Sequence, residues 1–237
     1  MQLFYSTKIN DDIISLDKIE TNHCIKVLRH SVGDKIHVVD GFGNYFIAEI
    51  LDFSKSQCNA KIIKSVQKFN KRPYYSHIVI SPTKNHDRIE WFVEKAVEIG
   101  IDEISFINCE RTIRKKMRMD RLEKIAKTAM KQTIKAYMPK INHMVDFTYF
   151  IENTNNKNGF ICHLNNNIKK DIFDYISLFK SNKDTCVLIG PEGDFTQEEV
   201  NFTLKKGFKE ISLGESRLRT ETAGLTACHL INILYSK

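Results

Sequence analysis

The chain has no apolar run long enough to span a membrane, no CxxC pair, no GxxxxGK[ST] loop and no GxGxxG between a strand and a helix. Each absence removes a class. Without such a run there is no candidate membrane helix, and no membrane partner is expected. The opening residues, MQLFYSTKIN, lack a basic region ahead of a long apolar stretch, so no secretory signal is read. The six cysteines, Cys24, Cys58, Cys109, Cys162, Cys186 and Cys228, are scattered. Without an export signal they read as reduced thiols in a cytoplasm, not as a disulfide framework. No Cys/His cluster has ligand spacing, so no metal is expected. The missing phosphate and dinucleotide loops disfavour P-loop NTPases and Rossmann enzymes.

What is present is a globular composition: 237 residues, 42% apolar and 27% charged, enough for one large domain or two modest ones. The net charge of +7 is unevenly placed. From Arg111 to Lys140 eleven lysines and arginines face Asp120 and Glu123, so the rest of the chain is slightly acidic. Such a segment reads either as a solvated helix face or as the footprint of a polyanion.

Residues 1–70 read as short strands. KIHVVDG and NYFIAEILDF flank a turn at Asp40-Gly41-Phe42-Gly43-Asn44, a hairpin signal, and QCNAKIIKSVQ supplies another strand. HCIKVLRH is a short helical stretch ahead of them. This pattern predicts a small β-barrel over 1–70. After a basic linker, KFNKRPYY, strands and helices alternate over 71–237: SHIVISPT, HDRIEWFVEKAVEIG, EISFIN, MDRLEKIAKTAMKQTIKAYMP, GFICHL, DIFDYISLFK, TCVLIG, FKEISLG and ETAGLTACHLINILY. The long MDRLEKIAK helix is expected to run to Pro139. Alternation of this kind predicts an α/β domain with a mostly parallel sheet.

Two strand ends concentrate the chemistry. TCVLI runs into Gly190-Pro191-Glu192-Gly193, and Thr196-x-x-Glu199 then starts a helix with a capping box. The glycines allow close backbone approach and the proline stiffens the loop. ISLG ends at Gly214 and is followed by Glu215-Ser216-Arg217-Leu218-Arg219-Thr220-Glu221-Thr222 before the last helix. Both loops lie at carboxyl ends of strands, where open α/β sheets place ligands.

LIGPEG followed by SLGESRLRTETA resembles the paired signatures of the SPOUT methyltransferases, and more narrowly the RsmE family, which methylates N3 of a uridine in bacterial 16S ribosomal RNA. HCIKVLRHSVGDKIHVVDG, RIEWFVEKAVEIGI and CERTIR extend the likeness nearly end to end. The resemblance implies an N-terminal PUA-like RNA-binding β-barrel over 1–70. It implies a C-terminal SPOUT α/β domain over 71–237, with a parallel sheet and a trefoil knot, a threading otherwise almost absent from proteins. It further implies S-adenosylmethionine as cofactor, a cytoplasmic homodimer, and ribosomal RNA or the assembled small subunit as partner.

On that resemblance the cofactor pocket is lined by the backbones of Leu188, Ile189, Gly190, Glu192 and Gly193, by Leu213, Gly214, Ser216, Leu218 and Ala223, and near its mouth by His163 and Leu164. Arg219 is expected to stabilise the uracil anion. Glu221 either accepts the proton or orients Arg219, with orientation preferred. Arg114, Lys115, Lys116 and Arg118 are expected on RNA phosphates, with His23, Lys26 and Arg29 from the barrel. Taken alone, His23 reads better as a capping or packing histidine. The chain departs from the family pattern at Lys131 and Lys135, where an acid and an arginine are usual; Gln132 and Pro139 match. Two rivals stay open: a SPOUT enzyme acting on a ribose 2′-hydroxyl, and an RNA-binding module without activity.

Overall fold

The structure is a computed structural model and describes residues 2–154, 158–164 and 170–235. The chain divides into two compact units, residues 1–71 with 127–138, and residues 72–126 with 139–237.

The first unit is a six-stranded sheet in the order β1-β4-β5-β6-β3-β2. Its strands are β1 (Leu3–Tyr5), β2 (Ile9–Asn10), β3 (Ile13–Leu16), β4 (Lys35–Val39), β5 (Tyr45–Phe53) and β6 (Cys58–Val66). The predicted hairpin is β4–β5. The Asp40 carboxylate closes its turn by accepting from the backbone N–H groups of Phe42 and Asn44 and from the Asn44 amide. Alternation along the strands turns Ile14, Leu16, Ile36, Val38, Phe46 and Ala48 into one core. Register shifts between β5 and β6 at Ile47/Ala48 and Ile50/Asp52 add the bulges that curl such a sheet. HCIKVLRH becomes a π-helical turn, His23–Val27, continuing from α1 (Lys18–Asn22), which Asp17 caps.

The second unit is built on a parallel sheet ordered β10-β8-β7-β12-β11-β13, with β9 beside β8. The strands are β7 (Tyr75–Ile80), β8 (Glu103–Asn108), β9 (Lys140–Ile141), β10 (Val145–Asp146), β11 (Asn158–Cys162), β12 (Asp184–Ile189) and β13 (Lys209–Ile211). Helices α2 (His86–Ile99), α3 (Met119–Gln132, whose residues from 127 on belong to the first unit), α4 (Phe147–Asn153), α5 (Ile176–Ser181), α6 (Gln197–Lys205) and α7 (Thr220–Tyr235) connect or follow them, and a 3-10 turn, Ile172–Tyr175, precedes α5. β7, β11 and β12 are buried on both faces, as a covered parallel sheet requires. The chain passes from central β12 through α6 to edge strand β13, and α7 then packs back on β7, β12 and α2.

The expected helix to Pro139 stops early, at Gln132. Ile134 takes a left-handed φ of 55° and Lys135 N–H donates to Met130 O, a C-terminal cap. The freed residues bond instead to the hairpin turn: Gly43 N–H to Ala136 O and Met138 N–H to Gly41 O. Lys131, one of the positions that depart from the family pattern, is half-buried and forms an ion pair with buried Glu20 at 2.5 Å. All six cysteines are free and buried. Among the described residues no helix is long and apolar enough to cross a membrane.

Buried charge sets two expectations for stability. Lys131→Ala leaves Glu20 buried with no cation and should cost about 3 kcal/mol in urea unfolding; a loss below about 0.5 kcal/mol would show the pair to be solvated. His77 in β7 is buried, with Nε2 2.8 Å from Ser105 Oγ, and burial lowers its pKa from 6.5 to about 4. Between those values the unfolded chain binds a proton that the folded one refuses. His77 should therefore cost stability as pH falls from about 6.5 to about 4, by about 3 kcal/mol in all. The difference between wild type and His77→Gln isolates this slope; a difference flat across that window contradicts it.

Candidate active site

Three parallel strands bring their carboxyl ends level. Cys162 of β11 is the register partner of both Ile189 of β12 and Ile211 of β13. This row floors a cavity of about 280 Å³. The loops leaving β12 and β13 wall it on either side.

The first loop is held by its own backbone and by its neighbours. Asp194 N–H donates to Pro191 O, and Asp194 takes a left-handed φ of 62°, which aspartate tolerates. Its carboxylate accepts from the backbone N–H groups of Phe195 and Leu164, tying this loop to the end of β11. A β-carbon on Gly190 would meet the Phe195 ring at 3.1 Å, so glycine suits this tight bend. Thr196 and Glu199 form the predicted capping box, and Glu199 Oε1 also accepts Glu110 N–H. Arg111 lies along Gly193 and donates to its carbonyl at 2.7 Å. The segment after β8 thus straps the loop in place.

The second loop turns at Gly214, whose φ of 114° favours glycine and whose missing side chain leaves open space. Ser212 Oγ accepts Gly214 N–H. Arg219 O accepts Ala223 N–H in the first turn of α7, so the Arg219 backbone is fixed while its side chain stays exposed at the cavity.

Ile189, Gly190 and Glu192 line the cavity, as do Leu213, Gly214, Ser216, Leu218 and Ala223, with His163 and Leu164 from the end of β11. Arg219 joins them. Leu188, Gly193 and Glu221 are not among the lining residues. Strand alternation turns Leu188 into the core on the opposite face from Ile189. Arg111 covers Gly193. Glu221 is buried, with Oε1 3.7 Å from Arg88 Nε and Oε2 without a hydrogen-bond partner among the described residues. Sequence reading missed Cys162, Pro191, Asp194, Ile211, Ser212, Arg217 and Thr220, which also line the cavity. The floor residues Cys162, Ile189 and Ile211 are the last residues of their strands, so marking the strand ends would have found them. His163 is not a free base: its Nε2 is 2.7 Å from Glu210 Oε1. Burial, with the charge of Asp194, pushes the Cys162 thiol up, so it is not a thiolate.

Arg114 directs its guanidinium to the protein, with Nε and Nη2 on Lys84 O and Nη1 on His86 Nε2. Lys115, Lys116 and Arg118 are exposed. His23, Lys26 and Arg29 belong to the first unit; the His23 ring packs 5.9 Å from that of Phe4. No group of three or more His, Cys, Asp or Glu that could hold a metal occurs among the described residues.

Residues 70–232 match the RNA methyltransferase domain model, and residues 16–63 match the RNA methyltransferase PUA domain model. The chain is 29% identical over 224 residues to the ribosomal RNA small subunit methyltransferase E of Buchnera aphidicola subsp. Acyrthosiphon pisum, covering 91% of this chain and 86% of that one. Its fold superposes on the crystal structure of a probable rRNA-methyltransferase from Porphyromonas gingivalis with a TM-score of 0.88 and 36% identity, over 100% of this chain and 99% of that one. A ribosomal RNA small subunit methyltransferase E from Neisseria gonorrhoeae, bound to S-adenosyl methionine, gives a TM-score of 0.87 and 25% identity over 99% of this chain and 98% of that one.

If Arg111 is the strap on the first loop, Arg111→Ala should speed hydrogen exchange at the Gly193–Phe195 amides about tenfold and leave β8 unchanged. Exchange unaltered at those amides would show that the loop holds itself.

Proposed function

The chain belongs to the RNA methyltransferase family, in its small subunit methyltransferase E (RsmE) branch, and from that membership we propose that it transfers a methyl group from S-adenosylmethionine to N3 of a uridine in small-subunit ribosomal RNA. The observation that carries the proposal is the cavity shared by two glycine-bearing bends.

The cavity fits the cofactor. Its floor is apolar, for a nucleoside, and main chain is exposed at Gly214, where hydrogen bonds to the base can be made without side chains. Ile189, Gly190, Leu213, Gly214, Leu218 and Ala223 would hold it. S-adenosylmethionine supplies an electrophilic methyl group. The protein's task is to align a uracil with that cavity and to ease loss of the N3 proton. Arg219, exposed at the rim, faces the uracil oxygens and stabilises the anion as it forms. Glu221 lies off the cavity and close to Arg88, so we assign it to positioning the first turn of α7, and with it Arg219. Lys115 and Lys116 meet RNA phosphates, and His23, Lys26 and Arg29 are the PUA-like unit's own RNA contacts. The return of α7 from the edge to the middle of the sheet supports a trefoil threading. We propose a cytoplasmic homodimer as the working form, the state and compartment expected for this family.

Nucleoside mass spectrometry of ribosomal RNA from a deletion strain tests the reaction. Loss of 3-methyluridine is expected; loss of a 2′-O-methylated nucleoside instead, or no loss at all, overturns it. Arg219→Ala should lower kcat about a hundredfold and change the Kd for S-adenosylmethionine less than about twofold. Equal loss of both would make Arg219 a structural residue.

A further inference from the structure

A second basin, of about 600 Å³, opens beside the first cavity, and Glu192 lines both. Its walls carry Lys84, Arg88, Arg114 and Arg118 with His86, against the carboxylates of Asp87 and Glu192. These cations are not equivalent. Arg114 has three donors engaged on Lys84 O and His86, so it shapes the wall. Burial, with the charges of Arg114 and Arg118, pushes His86 down, which keeps the ring a neutral acceptor for Arg114. Arg88 faces Glu221 only loosely, at 3.7 Å. Lys84 and Arg118 are exposed, and neither has a salt bridge among the described residues. Glu192 is turned to the backbone, its Oε1 accepting Lys84 N–H at 2.8 Å. The fourteen-residue helix α2 also starts here, behind its cap Asn85, and adds the positive end of its dipole. Lys84 and Arg118, exposed at one concavity and in no salt bridge among the described residues, with Arg88 only loosely held, call for an anion from a ligand.

We propose that Lys84, Arg88 and Arg118 form a subsite for a backbone phosphate of the RNA, next to the uridine whose base enters the neighbouring cavity. The inference rests on the methyl-transfer reading. Mixed arginine and lysine donors suit a tetrahedral phosphate, and a phosphate contact fixes register without reading sequence. Its closeness to the cavity through Glu192 makes the subsite a ruler: phosphate in one basin, base in the other.

The test is fluorescence anisotropy with a 16S ribosomal RNA fragment carrying the methylated uridine. Three forms are compared: native, and with one neutral methylphosphonate linkage either 5′ or 3′ of that uridine. One neutral linkage should weaken wild type about tenfold. It should leave a Lys84→Ala/Arg118→Ala variant, already weaker, unchanged. The variant's plot of log Kd against log salt should be shallower by about 0.7 for each phosphate it no longer neutralises. Calorimetry with S-adenosylmethionine should give the same Kd for both proteins, which establishes that the variant is folded. Equal weakening of both proteins by the neutral linkages, or none in wild type, overturns the subsite while methyl transfer stands. A wild type that binds neither S-adenosylmethionine nor the RNA fragment removes the reading beneath it as well.

Discussion

The register of three parallel strands is the constraint on which the site depends. Cys162, Ile189 and Ile211 are level because β11 pairs with β12 on one side and β13 on the other. Strand ends that are level release their loops side by side. A one-residue slip of β13 would exchange Ile211 for a neighbour of opposite facing and rotate the Ser212–Arg219 connection away from Gly190. Such a slip is costly because Ile211 is the one buried residue of β13, beside half-buried Lys209 and Glu210, and would leave the core.

Rigidity comes from bonds directed at main chain. Arg111 holds Gly193 O, Arg114 holds Lys84 O, Glu199 holds Glu110 N–H, and Asp194 joins the β12 loop to the end of β11. The stretch after β8 thereby acts as a strap over the loop that bears Glu192. Its charge is divided between two tasks: Arg111 and Arg114 shape protein, while Lys115, Lys116 and Arg118 remain exposed to solvent. A site held in this way needs little reorganisation when a ligand arrives, which is where positioning catalysis gains most.

Much of this was legible in the sequence because it is local. The β4–β5 hairpin follows from alternation and a turn with Asp40, Gly41 and Gly43. The two loops follow from glycines placed directly after apolar runs. What escaped was set by distant partners. The end of α3 at Gln132 is decided by bonds from Ala136 and Met138 to a hairpin turn far back in the chain. Strands β9 and β10 have two residues each and leave no periodic signal. Glu221 was read beside Arg219, its sequence neighbour, whereas its ion-pair partner is Arg88 on another helix. Lys131 looked like a departure without cause until Glu20, in a different element, supplied one.

Calorimetric titration of S-adenosylmethionine into folded wild type and Gly214→Val probes the backbone cradle most directly. A valine there must adopt a φ of 114°, disfavoured for any residue with a side chain, and must fill the space where the loop exposes main chain. The account predicts saturable heat at one site per chain in wild type and binding weaker by about tenfold or more in the variant. Folded wild type giving no heat, or a variant that binds as tightly, would contradict it.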